Sequence, residues 1–256
     1  MTGAEIKVDM PAEHVAVLTL DRPPVNAMGR AIREEFVATM DRLNDREDVR
    51  VIVLTANGKV FCAGADIKEK RGLSEAEGEY ARANRLTRDS FLALLESRKP
   101  VIAAINGPAL GAGFVMAACC DMIIASEAAT FSMPEIDVGQ GGGASFLQRI
   151  MPPSKMRRMM LTGERVSAAE FYRLGIVEEC VSPDRLVPRA VEIASIIASK
   201  SPTAVRTIRG SFETVAHLGL YDGFRIEQAY TTTLSTSPEA AEARRAFLEK
   251  GKGGSK

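Results

Sequence analysis

The sequence predicts a mixed α/β domain with parallel strand pairing, followed by a helical region. Residues 29–48 carry Ile32, Phe36, Met40 and Leu43 at helical spacing, between two strand-like runs. A strand, helix, strand order at this spacing favours parallel pairing of the strands. Four runs of apolar and β-branched residues are typical of buried strands, and they cover residues 14–20, 49–56, 101–105 and 122–126.

The remaining elements are mostly helical. A second helix is predicted over residues 73–100, with Ser74 as its N-cap and Pro100 closing it off. From about residue 154 onward the pattern changes to helices. We therefore expect an α/β core over residues 1–195 and a C-terminal helical region over residues 196–256. The helical segments predicted in this last third of the chain are 153–163, 167–175, 184–200, 202–219 and 237–252.

Composition and charge exclude several classes of function. The 256 residues are enough to bury a core without disulfides or metal. The 33 basic and 33 acidic residues give a formal net charge of zero, which removes the electrostatic argument for a nucleic-acid or membrane partner. No window reaches the roughly 18 apolar residues of a membrane span. We expect a cytoplasmic protein.

The cysteines and histidines give no metal site and no nucleophile triad. The four cysteines form no CxxC pair and have no spacing suited to zinc, so they are expected to be reduced packing residues. His14 lies in a strand-like run and His217 in a helix-like run. Because neither follows a nucleophile motif, Ser-His-Asp chemistry is not expected.

Two segments are rich in glycine and alanine, and either packing or ligand binding could explain this composition. The first loop, residues 57–70, and the second loop, residues 106–121, each follow a predicted strand and enter a predicted helix. Neither carries the Gly-Lys-Ser/Thr of a phosphate loop, and the second lacks the third glycine of a dinucleotide fingerprint. Close helix packing is one explanation for such a loop. If both loops face one cavity, their backbone N–H groups could instead converge on a carbonyl oxygen as an oxyanion hole.

Several spaced motifs resemble the crotonase superfamily, the enoyl-CoA hydratase/isomerase group. They are "DRPPVNAM", "VFCAGADIKE", "AAINGPALGAG", "FSMPEIDVG" and "LTGERVSAAEFYRLGIVEECV", and they cover nearly the whole chain. The resemblance implies a crotonase-like spiral of ββα units with a C-terminal helical trimerisation region. It also implies a homotrimer, or a hexamer made of two trimers. The implied substrate is an acyl-CoA thioester, with no separate cofactor because coenzyme A is part of the substrate.

The resemblance also implies which residues meet the thioester. Its carbonyl oxygen would contact the backbone amides of Ala65 and Ala112, and Ala112 stands where the family usually has glycine. Lys68 would reach the nucleotide phosphates, and Lys250 would contact coenzyme A from a neighbouring subunit. The full set of implied substrate-binding residues is Ala63, Gly64, Asp66, Ile67, Lys68, Gly111, Val115 and Lys250.

The resemblance gives this chain one catalytic acid instead of two. Glu135 falls on a catalytic glutamate position, and a carboxylate in a largely apolar pocket is a suitable base. Val115 occupies the position of the second glutamate of two-acid hydratases. Gly143 occupies the position of an aspartate found in dienoyl-CoA isomerases, so that activity is not favoured. Asp137 is a second carboxylate close to Glu135 in the sequence. If the segment is extended, the side chains of the two residues point in only roughly the same direction.

A single base beside an oxyanion hole favours enoyl-CoA isomerisation. Glu135 would remove a proton from one carbon of the acyl chain and return it two carbons away. Hydration with Glu135 alone is an alternative, and a catalytically weakened acyl-CoA-binding protein is another. A third alternative is a structural oligomer whose small-residue loops serve packing only.

Overall fold

The computed structural model describes residues 5–69 and 78–236, together with residues 241 and 245. The predicted N-cap Ser74, the candidate Lys250 and most of the predicted helix over residues 237–252 lie outside the described residues. The chain divides into two compact units, Met1–Ile196 and Ile197–Lys256.

The first unit is built on a six-stranded sheet in the order β1-β2-β3-β4-β6-β9. The first pair is antiparallel and the remaining pairs are parallel, which confirms the predicted parallel pairing. Strands β2, β3 and β4 are buried at every residue, as near-continuous apolar runs lead one to expect. The strands of this sheet are β1 (Ile6–Ala12), β2 (Val15–Leu20), β3 (Val51–Ala56), β4 (Val101–Ile105), β6 (Met122–Ser126) and β9 (Glu179–Val181).

A second, three-stranded sheet has the order β5-β7-β8. Its strands are β5 (Ala109–Leu110), β7 (Thr130–Ser132) and β8 (Val166–Ser167). Strand β5 lies within the second loop, and β7 leads directly into the segment that carries Glu135. The small sheet therefore joins the second loop to the candidate base.

The helices of the first unit cover the sheets, and α1 packs against α2. Helix α1 buries Ile32, Phe36, Met40 and Leu43 as predicted, and it also buries Arg33. The helices are α1 (Arg30–Asp45), α2 (Glu79–Leu95), α3 (Ala112–Ala118), α4 (Ala144–Leu147), α5 (Pro153–Thr162), α6 (Ala168–Arg173) and α7 (Leu186–Ala198), and 3-10 turns cover Pro134–Val138 and Pro183–Arg185.

In the second unit, α8 (Pro202–Val215) contacts α9 (Leu220–Ser235). Helix α9 lies outside the helical segments predicted from the sequence. None of the helices in the described part of the chain is long and apolar enough to cross a membrane.

The two histidines lie in turns, so the strand-like and helix-like placements were wrong. His14 has a positive φ of 63° in the tight turn between β1 and β2, and its Nδ1 is 3.0 Å from the carbonyl oxygen of Asp48. His217 follows the end of α8. Neither residue lies in the segments that form the candidate site.

Candidate active site

The two small-residue loops lie side by side. The backbone N–H of Leu110 donates to the carbonyl oxygen of Cys62 over 2.9 Å, and that of Phe61 donates to Pro108 over 3.1 Å. Cys62 and Ala109 form an isolated parallel bridge. The segments predicted to face one cavity are therefore joined by backbone hydrogen bonds, as the proposed oxyanion hole requires.

Small residues are necessary where the loops meet. A Cβ on Gly64 would lie 2.9 Å from the carbonyl oxygen of Leu110 and 3.4 Å from the amide nitrogen of Ala112, and its φ of +92° also suits glycine. A Cβ on Gly113 would lie 2.5 Å from the carbonyl oxygen of Cys62. Close packing thus accounts for the glycines at these two positions, whichever ligand the loops bind.

The two candidate amides stand at the meeting point of the loops. Ala112 is the first residue of α3, where helix geometry leaves backbone N–H groups without partners. Ala65 forms a parallel β-bridge with Met28. The backbone N–H of Met28 donates to the carbonyl oxygen of Gly64, and the backbone N–H of Asp66 donates to the carbonyl oxygen of Met28. Neither the Ala65 nor the Ala112 N–H donates a hydrogen bond to any residue that the structure describes. Both groups can therefore donate to a ligand.

Glu135 lies directly against the second loop. A Cβ on Gly111 would lie 1.9 Å from Glu135 Oε1, so only a residue without a side chain leaves the carboxylate where it is. The backbone N–H of Gly111 donates to the carbonyl oxygen of Ser132 over 2.9 Å, which fixes the spacing between the two segments. Glu135 is half-buried, and its Oε2 atom is fully buried. The carboxylate thus adjoins the residue that precedes the candidate amide of Ala112.

Val115 forms an apolar wall with two other residues. It is 2% exposed, and its Cγ2 lies 2.7 Å from the position of a Cβ on Gly143. The Cε of Met133 lies 3.2 Å from the same position. Val115 and Gly143 are the two positions that the resemblance associates with a second acid, and here the Val115 side chain lies where a side chain on Gly143 would extend. This wall is apolar in the present chain.

Asp137 points away from Glu135. The segment Pro134–Val138 is a 3-10 turn and not extended, so the condition for a roughly shared direction of the two side chains is not met. Asp137 is exposed, and its Oδ2 lies 3.2 Å from the position of a Cβ on Gly163, whereas Glu135 faces Gly111. Asp137 therefore does not form a pair of carboxylates with Glu135.

The first loop is held by an arginine that the sequence analysis did not identify. Arg22 Nη1 donates to Asp66 Oδ2 over 3.0 Å and to the carbonyl oxygen of Ala27 over 2.6 Å. Partial burial favours the protonated acid, but the hydrogen bonds from Arg22 and from the backbone N–H groups of Lys68 and Glu69 hold the pKa of Asp66 below its usual value. Asp66 therefore serves to hold the loop. The quoted "DRPPVN" motif contains Arg22, but its partner Asp66 is 44 residues away.

The other predicted substrate-binding residues differ in exposure. Ala63 donates its backbone N–H to the carbonyl oxygen of Val25 over 3.0 Å, so it helps to fix the loop. Ile67 is 57% exposed and Lys68 is exposed, which leaves both accessible to a ligand on the surface. Lys250 lies outside the described residues. No group of three or more potential metal ligands occurs among the residues that the structure describes.

The chain is similar to acyl-CoA enzymes along almost its whole length. The family described as Enoyl-CoA hydratase/isomerase matches residues 11–254. A (7aS)-7a-methyl-1,5-dioxo-2,3,5,6,7,7a-hexahydro-1H-indene-carboxyl-CoA hydrolase of Mycobacterium tuberculosis is 35% identical, over 94% of this chain and 97% of the relative. A carnitinyl-CoA dehydratase of Proteus mirabilis is also 35% identical, over 92% of each chain.

A crystal structure of an enoyl-CoA hydratase from Bacillus anthracis has a TM-score of 0.91 and 33% identity, over 96% of this chain and 97% of that one. The chain therefore belongs to the enoyl-CoA hydratase/isomerase family, within the crotonase superfamily. This confirms the expected crotonase-like fold, with its mixed α/β core and helical C-terminal region. The protein is an acyl-CoA enzyme of the hydratase/isomerase type.

Proposed function

We propose that this enzyme moves the double bond of an enoyl-CoA thioester, with Glu135 as its acid and base. The observation that carries the proposal is the position of the Glu135 carboxylate against Gly111, beside Ala112. The wall formed by Val115, Met133 and Gly143 offers no second acid. A reaction that needs one proton carrier therefore suits the site better than two-acid hydration.

The reaction balances with the groups of this chain. Glu135 takes a proton from C2 of a 3-enoyl thioester, and the electron pair of that C–H bond delocalises onto the carbonyl oxygen and C4. The N–H groups of Ala65 and Ala112 stabilise the negative oxygen of the resulting dienolate; losing one such donor typically costs about 100- to 1,000-fold in rate. Glu135 then returns the proton to C4, which leaves a 2-enoyl thioester and the original carboxylate.

Hydration is the second candidate. Its support is that the similar Bacillus anthracis structure is described as an enoyl-CoA hydratase and the Proteus mirabilis relative as a dehydratase. In the hydration reaction, Glu135 alone would position the water. A weakened acyl-CoA-binding protein without turnover is a third possibility, motivated by Val115.

The remaining features of the substrate complex are part of the same proposal. Ile67 and Lys68 would line the coenzyme A arm, and Lys250 would approach it from a neighbouring subunit of a homotrimer or of a hexamer. The enzyme would need no cofactor beyond the coenzyme A of its substrate and would act in the cytoplasm. The family membership supports the expected contacts with coenzyme A.

The test uses 3-enoyl-CoA and 2-enoyl-CoA substrates of several chain lengths, with the double-bond shift and hydration measured separately. Glu135→Gln should lower the isomerisation rate by roughly 100-fold or more, because the proton carrier is lost. Asp137→Asn is the matched control, since this exposed carboxylate faces Gly163 and should leave the rate unchanged. Equal activity of wild type and Glu135→Gln would rule the proposal out, and hydration without any shift would favour the second candidate.

Val115→Glu tests the role of the apolar wall. Restoring a carboxylate there should raise the ratio of hydration to isomerisation by about tenfold, although general acid–base groups typically contribute more. The smaller figure reflects the contacts with Met133 and Gly143, which leave little room for a longer side chain. An unchanged product ratio in the folded variant would show that the identity of this residue does not select the reaction.

A further inference from the structure

A second feature of the first unit is a cavity beside Ala65. It has a volume of about 590 Å³ and lies between the N-terminal parts of α1 and α2. Ala65 and Asp66 of the first loop line it, together with Arg33 of α1 and Thr87 of α2. The cavity therefore adjoins one of the two amides proposed to bind the thioester.

Arg33 is a buried cation in the wall of this cavity. It is only 5% exposed, and burial lowers the pKa of its guanidinium. Its Nε donates to the carbonyl oxygen of Met28 over 3.0 Å, and its Nη1 donates to the hydroxyl of Thr87. Among the described residues, Nη2 has no hydrogen-bond partner and the guanidinium has no carboxylate in ion-pair contact.

The carboxylates that line the cavity are all engaged by other arginines. Within the part of the chain that the structure describes, Arg33 is therefore left without a carboxylate in ion-pair contact, although acids are close by. The ion pairs are Glu34 with Arg30 at 3.0 Å, Asp66 with Arg22 at 3.0 Å, Glu69 with Arg22 at 3.8 Å, Glu79 with Arg82 at 2.5 Å and Asp89 with Arg88 at 3.4 Å.

A buried charge without a partner is costly, and a bound anion would compensate it. The planar guanidinium presents two parallel donors that match a carboxylate, and carboxylate recognition is a common role of arginine. A phosphate carries a larger negative charge and would need a second cation beside Arg33, whereas Arg30 and Arg82 of the wall already pair with Glu34 and Glu79. A single carboxylate is therefore the better complement.

We propose that Arg33 binds a carboxylate at the far end of the acyl group, so that the preferred substrates are ω-carboxyacyl-CoA thioesters. This inference rests on the proposed function, because it places the thioester at Ala65. The acyl chain would run from that amide into the cavity, with Arg33 as the residue that selects a dicarboxylic acyl group over a plain fatty acyl group.

The test measures binding by calorimetry, so it does not depend on turnover. Saturated acyl-CoA thioesters of increasing chain length are compared with the matching ω-carboxyacyl-CoA thioesters and with coenzyme A alone. The wild type should bind the ω-carboxy form more tightly at one or more chain lengths. Arg33→Met should reduce that preference by roughly 30-fold or more, as removal of one partner of a buried charge pair does.

The controls separate the possible outcomes. Arg85→Met changes an exposed arginine of the same cavity and should leave the preference intact, and Arg33→Lys should retain part of it. Equal affinity of wild type for both acyl classes would overturn the inference and leave the proposed function standing. Weaker binding of coenzyme A alone by Arg33→Met would show that the arginine holds a phosphate, which also overturns it.

Two further outcomes concern the absence of any acyl-CoA binding and the folding of the Arg33→Met variant. If no acyl-CoA binds to the wild type, the proposed function and this inference both fail. If Arg33→Met does not fold, as judged by its melting transition, the comparison of the two acyl classes in the wild type and in Arg33→Lys decides the question.

Discussion

The two loops of the candidate site are built by different means. The first loop is held by charge, because Arg22 binds Asp66 and also pairs with Glu5 at 3.3 Å. The second loop is held by close backbone packing, in which Gly111 leaves room for Glu135 and Gly113 leaves room for Cys62. Both loops should therefore be sensitive to added volume, at Gly64 in the first and at Gly111 and Gly113 in the second, but the first should also be sensitive to loss of charge.

The largest effect is expected for Gly111→Ala. The new Cβ would lie 1.9 Å from Glu135 Oε1, so the carboxylate must move. The φ of +52° with a ψ of −119° is also a conformation that alanine rarely adopts, at a cost on the order of 1–3 kcal/mol. A displacement of about 1 Å typically costs on the order of 100-fold in rate, which steady-state kinetics would detect.

Gly139→Ala is the matched control for this prediction. Gly139 has a φ of +67°, but a Cβ there would meet no atom within 4 Å. Because Gly139 lies in the left-handed helical region, alanine there should cost about 1–2 kcal/mol of stability and leave kcat unchanged. If both variants lose activity equally, backbone strain and not the displacement of Glu135 is the cause.

A smaller effect is expected for Arg22→Met. The variant leaves the half-buried Asp66 carboxylate without its arginine, so the loop that carries Ala65 loses its link through Arg22 to the carbonyl oxygen of Ala27. We expect kcat/KM to fall by roughly tenfold, in line with the 1.5–3 kcal/mol of a hydrogen bond to a charged group. Unaltered kinetics would mean that the ion pair does not position the first loop.

The smallest effect is expected in the pH dependence of stability. Because the pKa of Asp66 is held below its ordinary value of 3.8, the ionised residue stabilises the fold above that value. This contribution should disappear as the pH falls through the lowered pKa. The melting temperature of the wild type should therefore exceed that of Asp66→Asn at neutral pH, and the two should approach each other in strong acid. A constant difference across that range would contradict this.

The sequence predicted the large sheet more completely than the site. Strands β2, β3, β4 and β6 are marked by continuous apolar runs because their residues are buried. Strands β5 and β7 have two and three residues and leave no periodic pattern. Likewise, α9 contains Gly223 and three consecutive threonines, residues of low helix propensity, so the local sequence does not favour a helix there.

The site shows the same division between local patterns and long-range contacts. Glu135, Ala65 and Ala112 are predicted from motifs within single segments, and the structure places those segments together. The roles of Arg22 and Arg33 could not be found that way. Their partners Asp66 and Thr87 lie 44 and 54 residues away, and in α1 only the apolar positions had been assigned to the core.

The central claim is that Glu135 carries one proton between two carbons of the acyl chain. The direct test is a single turnover of a 3-enoyl-CoA labelled with deuterium at C2, followed by measurement of the label at C4 of the product. A single-base shuttle predicts that part of the label appears at C4, and that Glu135→Gln abolishes both the label transfer and the double-bond shift. A product with no label at C4, formed at an equal rate by wild type and Glu135→Gln, would contradict the account.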